Sequence, residues 1–256
     1  MSVDYAPKGL FGILTPQANT TVEPETALLL PPGFAALTGR LTSAAPTMDA
    51  RLREYFQSYG ATLEQFANAP LTAIGFACTG ASYLAGPQAE DAALAAISAR
   101  AGVPAITAAT AVCDALAALG ARRIALVSPY GPALDSASLA YWKARGLEVT
   151  AMSAVREAAA SFHPIYAVSS EAASAALDAL EPKGAQAVAM LGTGLPTLRT
   201  IRGCAGREGA PVISSVFCLI WRLVAAAEGR APDGDDLRRW LAGAHWAPRL
   251  DALPAG

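Results

Sequence analysis

The sequence predicts an α/β fold built as two pseudo-symmetric, Rossmann-like lobes. Each lobe is expected to hold a mostly parallel sheet flanked by helices, with a site in the cleft between them. Three observations predict it. Short apolar runs alternate with longer helical stretches over the 256 residues, the pattern of parallel strands covered on both faces. Three motifs recur in the same order: ILTPQ (13–17) with LVSPY (126–130), FACTGA (76–81) with MLGTGL (190–195), and VPAIT (103–107) with APVIS (210–214). Their offsets are nearly constant, which marks a duplicated unit. The polar residues of these motifs fall at strand ends, where open α/β sheets bind ligands.

The elements follow in chain order. Apolar runs at 10–15, 71–77, 105–106, 124–128, 148–152, 185–191 and 212–214 read as strands. Helical spacing of apolar residues predicts helices over 48–68, 87–101, 110–120, 132–145, 170–181, 196–208, 216–229 and 233–242. Gly102 and Gly209, each two residues before a proline, stop the helices that precede them. The Pro-containing tail after Ala247 reads as irregular. The repeat divides the chain into lobes 1–120 and 121–256, and allows a helix to be exchanged between them.

Composition excludes several classes. Nineteen basic and 21 acidic side chains leave a net charge of −2, with no electrostatic footprint for nucleic acid. Apolar residues at 53% and charged residues at 16% exclude a disordered chain. Asp114 and Arg222 interrupt the longest apolar stretches, so none reaches the ~20 residues of a membrane span. The start MSVDYAPKGLFG lacks a basic region and a long apolar run, which predicts a cytoplasmic protein whose four cysteines are thiols. Those cysteines show no CxxC spacing, and with His163 and His245 as the only histidines no metal site is expected.

Four segments carry candidate chemistry. In TPQANTTVEPE (15–25) a strand runs into Pro16 and Gln17, then Asn19, Thr20 and Thr21 offer uncharged donors suited to an anion. A helix cap with a turn uses the same donors. In ACTGASY (77–83) Cys78 stands between a strand end and a helix start, a setting that lowers a thiol pKa, and Thr79, Gly80 and Ser82 are candidates for an oxyanion cradle. In LGTGLPT (191–197) Gly192 occupies the place of Cys78, and Thr193-Gly194 that of Thr79-Gly80. The alternative is a tight strand–helix turn. In SPYG (128–131) Tyr130 brings a phenol to the cleft, as a donor to a carboxylate or as an acid; a surface-turn tyrosine is the other reading. Cys113 and Cys218 read as core and Cys204 as incidental. His163 reads as a loop residue.

Taken together, NTTVEPE, ACTGA, SPY and GTGLPT resemble the aspartate/glutamate racemase superfamily. Within it the chain is similar to maleate cis–trans isomerases and their relatives, the arylmalonate decarboxylases, over roughly residues 10–229. The resemblance implies two Rossmann-like lobes, no cofactor, a small carboxylate or dicarboxylate substrate and a homo-oligomer. It makes Cys78 the first-lobe nucleophile, and Asn19 and Tyr130 holders of a substrate carboxylate. The chain departs from the family at Gly192, which stands where isomerases and racemases carry a second cysteine. Arylmalonate decarboxylases use one thiol, placed in the second lobe, so Cys78 makes a mirror arrangement. The asparagine of maleate isomerases has no match around SFHPI (161–165).

The expected function is a cofactor-independent enzyme working through Cys78, of the maleate isomerase type. The alternatives are a decarboxylase with one thiol proton donor and a carboxylate-binding protein without catalysis. With Gly192 in that place a two-base amino-acid racemase is not expected, and the repeat predicts that Gly192→Cys would introduce racemase activity by bringing a second acid/base to the other face of the substrate.

Overall fold

A computed structural model describes residues 3–155 and 164–254 of the chain. In the first half β1 (Gly9–Pro16) leads to α1 (Val22–Leu29), β2 (Phe34–Leu41), α2 (Met48–Thr62), β3 (Ala73–Phe76), α3 (Thr79–Ala85), α4 (Pro87–Ala101), β4 (Ala105–Thr107) and α5 (Ala108–Ala118). The second half continues with β5 (Arg123–Ser128), α6 (Pro132–Ala144), β6 (Glu148–Ala154), α7 (Ser170–Asp178), β7 (Ala187–Met190), α8 (Leu198–Cys204), β8 (Val212–Ser214), α9 (Ser215–Ala227), α10 (Gly234–Leu241) and α11 (Ala247–Asp251).

Two four-stranded parallel sheets result, ordered β2-β1-β3-β4 and β6-β5-β7-β8. The repeat seen in the sequence is therefore a repeat of topology. It extends to register: Ile13 pairs with Gly75 in the first sheet, and their equivalents Leu126 and Ala189 pair in the second. The central strands β1, β3 and β7 are buried throughout and β5 all but its first residue, as strands covered by helices on both faces must be.

Besides α3, of which the sequence reading marks only the start, three elements escape it, each for a physical reason. Helix α1 contains Pro24, but at its third position, where a missing N–H costs nothing. Strand β2 lies at a sheet edge and is only partly buried, and its apolar run FAAL is cut short by Thr38, Gly39 and Arg40. Helix α11 forms in the tail read as irregular, with Pro248 tolerated in its first turn. Elsewhere the ends shift by a few residues: α2 stops at Thr62 before a short 3₁₀ turn, and α8 spans only Leu198–Cys204.

Helix α9 belongs to the second half by sequence but packs against β1, β3 and β4 of the first. Gly75 shows how closely. A Cβ there would lie 2.9 Å from Leu223 Cδ1 of α9, so only glycine lets the helix down onto the strand. The lobes are also bound by Glu90 of α4, whose carboxylate is fully buried. It accepts hydrogen bonds from Thr107 Oγ1 (2.6 Å), Tyr141 OH (2.5 Å) and Arg145 Nη2 (2.7 Å); Tyr141 lies on α6 and Arg145 caps its end. Beside this clasp Tyr83, Tyr130, Tyr141 and Trp142 form one aromatic cluster, with ring centroids 5.0–6.1 Å apart.

Candidate active site

A cavity of about 290 Å³ lies between the lobes at the carboxyl ends of β1, β3, β5 and β7. Of the residues singled out in the sequence, Pro16, Cys78, Thr79, Gly80, Tyr130, Thr193 and Gly194 line it. Segments as far apart as Pro16 and Gly194 thus meet in one place because the two sheets have the same topology and point their strand ends at each other.

Cys78 follows β3 as the N-cap residue of α3. Its thiol is buried, and burial pushes its pKa up to about 12, with the Ala81 amide the one group that favours the thiolate. The expectation of a lowered pKa is therefore corrected. The helix start does aim an amide at the sulfur, but loss of water outweighs it, and ligand-free Cys78 is a protonated thiol at neutral pH.

Tyr130 reaches across from the second lobe, and its phenol oxygen lies 2.7 Å from Thr79 Oγ1. Burial raises the phenol's pKa well above its ordinary value, so it holds its proton. The tight turn that presents it is fixed by Ser128, whose Oγ accepts from the Tyr130 amide at 3.2 Å and donates to Asp135 at 2.5 Å. Thiol, phenol and threonine hydroxyl thus face one space, two from the first lobe and one from the second.

Gln17, Asn19 and Gly192 do not line the cavity. Gln17 turns its carbonyl to the Ser43 amide at 2.8 Å. Asn19 Oδ1 accepts from the amides of Thr21 (2.8 Å) and Val22 (3.0 Å), which start α1, and its Nδ2 donates to Thr193 Oγ1 at 3.4 Å. The cap alternative describes this residue, and its polar atoms are engaged within the protein. Ser82 is buried away from the cavity. His163 lies outside the described residues.

Gly192 has φ +84°, a region that favours glycine. An added Cβ would sit 2.8 Å from Pro129 Cγ, 2.9 Å from Ile165 Cδ1 and 3.3 Å from the Tyr130 hydroxyl oxygen. The space a second thiol would need is already filled. A side chain at this position requires Pro129 and Ile165 to shift, which weighs against the expectation that Gly192→Cys creates a racemase.

Sequence reasoning missed the apolar walls. Met48 and Leu52 of α2, Leu134 of α6 and Ile165 all face the cavity, as does the phenol ring of Tyr166. They were hidden because an apolar residue on a helix reads as core. Among the described residues Asp49 is the one carboxyl in the lining, and none of them brings a Lys, Arg or His to it. Among the described residues no group of three or more His, Cys, Asp or Glu is placed to hold a metal ion, and no helix is long and apolar enough to cross a membrane.

Comparison with known proteins gives this site a context. The chain is 28% identical over 152 residues to a maleate isomerase of Geobacillus stearothermophilus, a match covering 54% of this chain and 60% of that protein. The structure superposes with a TM-score of 0.76 on a cysteine-to-serine variant of Nocardia farcinica maleate cis–trans isomerase carrying a covalently bound succinylcysteine intermediate. The identity is 24%, covering 90% of this chain and 98% of that one. A liganded arylmalonate decarboxylase variant, with one glycine changed to cysteine and one cysteine to serine, gives a TM-score of 0.71 at 24% identity, covering 87% and 93%. Both structural matches establish a shared two-lobed fold. A sequence model of arylmalonate decarboxylase matches residues 11–235, nearly the whole of both lobes, and the chain belongs to that family.

Proposed function

We propose that the protein is an enzyme that acts on a small carboxylate through Cys78, by chemistry of the maleate cis–trans isomerase type. The observation that carries this reading is the convergence of the Cys78 thiol with the Tyr130–Thr79 hydroxyl pair in one interlobe cavity. The maleate isomerase relative and the succinylcysteine seen in a structural neighbour support it.

In this reading the cleft opens, the thiol gives its proton to water, and the thiolate adds to one alkene carbon. The π electrons move into the adjacent carboxylate as an enediolate, which Tyr130 and the amides at the start of α3 stabilise. The carbon–carbon bond, now single, rotates. Collapse of the enediolate re-forms the double bond and expels the thiolate. No step calls for a cofactor, and the reading extends to a cytoplasmic homo-oligomer binding neither nucleic acid nor membrane.

A second reading rests on two features: burial raises the Cys78 pKa and favours the thiol, and the cavity walls formed by the described residues are mostly apolar. Both suit decarboxylation of a malonate bearing an apolar substituent. Carbon dioxide leaves, its bonding electrons form an enediolate, and the Cys78 S–H protonates the carbon.

Purified protein incubated with maleate and, separately, with phenylmalonate tests both. Fumarate formation that disappears in Cys78→Ser supports isomerisation; phenylacetate formation that disappears in the same variant supports decarboxylation. Inactivity on both overturns each.

A further inference from the structure

The run NTTVEPE, read in the sequence as a carboxylate site, has a different geometry in the structure. Each of its polar side chains on the inner face reaches into the opposite lobe. Asn19 Nδ2 donates to Thr193 Oγ1 (3.4 Å), Thr20 Oγ1 to the Tyr166 carbonyl (3.1 Å) and Thr21 Oγ1 to the Gly194 carbonyl (2.9 Å). Glu25, one turn along α1, accepts from the Thr197 amide (2.5 Å) and the Leu198 amide (3.1 Å) at the start of α8. Thr197 Oγ1 lies 3.3 Å from both of its carboxyl oxygens.

All the partners sit on or beside the second-lobe wall of the cavity. Thr193 Oγ1 in turn donates to the Ala77 carbonyl at 2.7 Å, the residue before Cys78. The chain of bonds therefore runs from Glu25, through the loop 193–197, to the backbone that carries the thiol.

We propose that residues 19–25 are a clasp between the lobes, with Glu25 as its keystone and a positioning residue, that holds the loop 193–197 closed against Cys78 and limits access to the thiol. Glu25 is only 5% exposed, and among the described residues its hydrogen-bond partners are two amides and a hydroxyl, with no charged side chain. Burial pushes its carboxyl up to about 7, so the acid is present in both forms near neutrality and the clasp works through hydrogen bonds more than through charge. A glutamine, which offers one carbonyl oxygen and an NH₂ in the same shape, is accordingly expected to replace it, whereas an alanine leaves Thr197 and Leu198 without an acceptor. The inference concerns access to the thiol and stands whichever reaction the site performs.

The test needs no substrate. Native wild type, Glu25→Ala, Glu25→Gln and Thr21→Val are treated with iodoacetamide, and alkylation at Cys78 and Cys218 is followed separately by peptide mass spectrometry. Cys218, fully buried on α9 and outside the cavity, reports global opening. The expected result is a Cys78 rate raised roughly tenfold in Glu25→Ala and severalfold in Thr21→Val, with Cys218 unchanged and Glu25→Gln within about twofold of wild type. An unchanged Cys78 rate in Glu25→Ala and Thr21→Val overturns the proposal. So does a parallel rise at Cys218, which marks general destabilisation, or a glutamine variant that behaves as the alanine one does. If Glu25→Ala does not fold, Thr21→Val, which removes one hydroxyl, carries the same decision.

Discussion

Cys78 shows how burial and chemistry pull against each other at one residue. With its pKa near 12, the thiolate fraction of the free protein grows about tenfold for each pH unit through the neutral and mildly alkaline range. The rate of Cys78 alkylation should therefore climb without a plateau from pH 7 to pH 10. A plateau near pH 9 would reveal an ordinary hydrated thiol. The linkage has a matching sign: a raised folded-state pKa stabilises the fold fully below the unfolded value of about 9, and that contribution is lost as pH rises from 9 towards 12. Tyr130 offers a second test at this scale. Tyr130→Phe keeps the ring against Tyr83 and removes the bond to Thr79, worth about 1 kcal/mol. Melting temperature should fall by only a few degrees, while turnover of whichever carboxylate proves to be the substrate drops by at least tenfold. Unchanged turnover would remove the phenol from the chemistry. The positions of Cys78, Thr79 and Tyr130 were legible in the sequence because strand ends announce themselves. The state of the thiol was not, since desolvation depends on residues brought from elsewhere in the chain.

The segment after β7 repeats the motif after β3 with glycine for cysteine, but α3 starts at Thr79 whereas α8 starts only at Leu198. Where the first lobe has Cys78, the second has Gly192 at φ +84°, and Pro129 and Ile165 occupy the space a side chain would need. Sequence alignment of the two halves identified the pair; it gave no sign that the vacancy had been filled, because Ile165 comes from a segment outside the repeat. Gly192→Cys should accordingly lose stability by roughly 1–3 kcal/mol from backbone strain and overpacking, and gain no racemase activity. Thermal melting and optical rotation of an enantiopure 2-arylpropionate in D₂O check the two parts. A Gly192→Cys protein as stable as wild type would show that the loop relaxes freely. Similar blindness explains the missed elements. Edge strand β2 has an apolar run of only four residues, and Pro24 disguises α1, although the residues around it, Asn19 to Glu25, are among those that join the lobes.

The two-lobed architecture was readable in full from three motif pairs, because a duplicated fold keeps its strand ends even where its helices diverge. What holds the lobes together was not readable, since it depends on pairs far apart in sequence. Glu90 is the clearest case. In the sequence it is one acidic residue in an alanine-rich helix; in the structure it is a fully buried carboxylate bonded to Thr107, Tyr141 and Arg145. Arg145 is mostly buried and also grips Asp91 at the surface at 2.7 Å. Glu90→Ala would leave the guanidinium, a phenol and a hydroxyl facing an apolar space, and removing one partner of a buried ion pair costs about 3–5 kcal/mol. For a chain of this size each kcal/mol shifts the melting temperature by about 2–4 °C. The expected fall is therefore roughly 6–20 °C. Glu90→Gln keeps an acceptor for two of the three donors and loses the ionic partner of Arg145, so it should fall between wild type and alanine. Differential scanning calorimetry of the three proteins decides the matter. A shift of less than about 2 °C in Glu90→Ala would mean that Asp91 alone satisfies Arg145, and that the lobes are held by apolar packing of α9 on the first sheet instead of by the buried carboxylate.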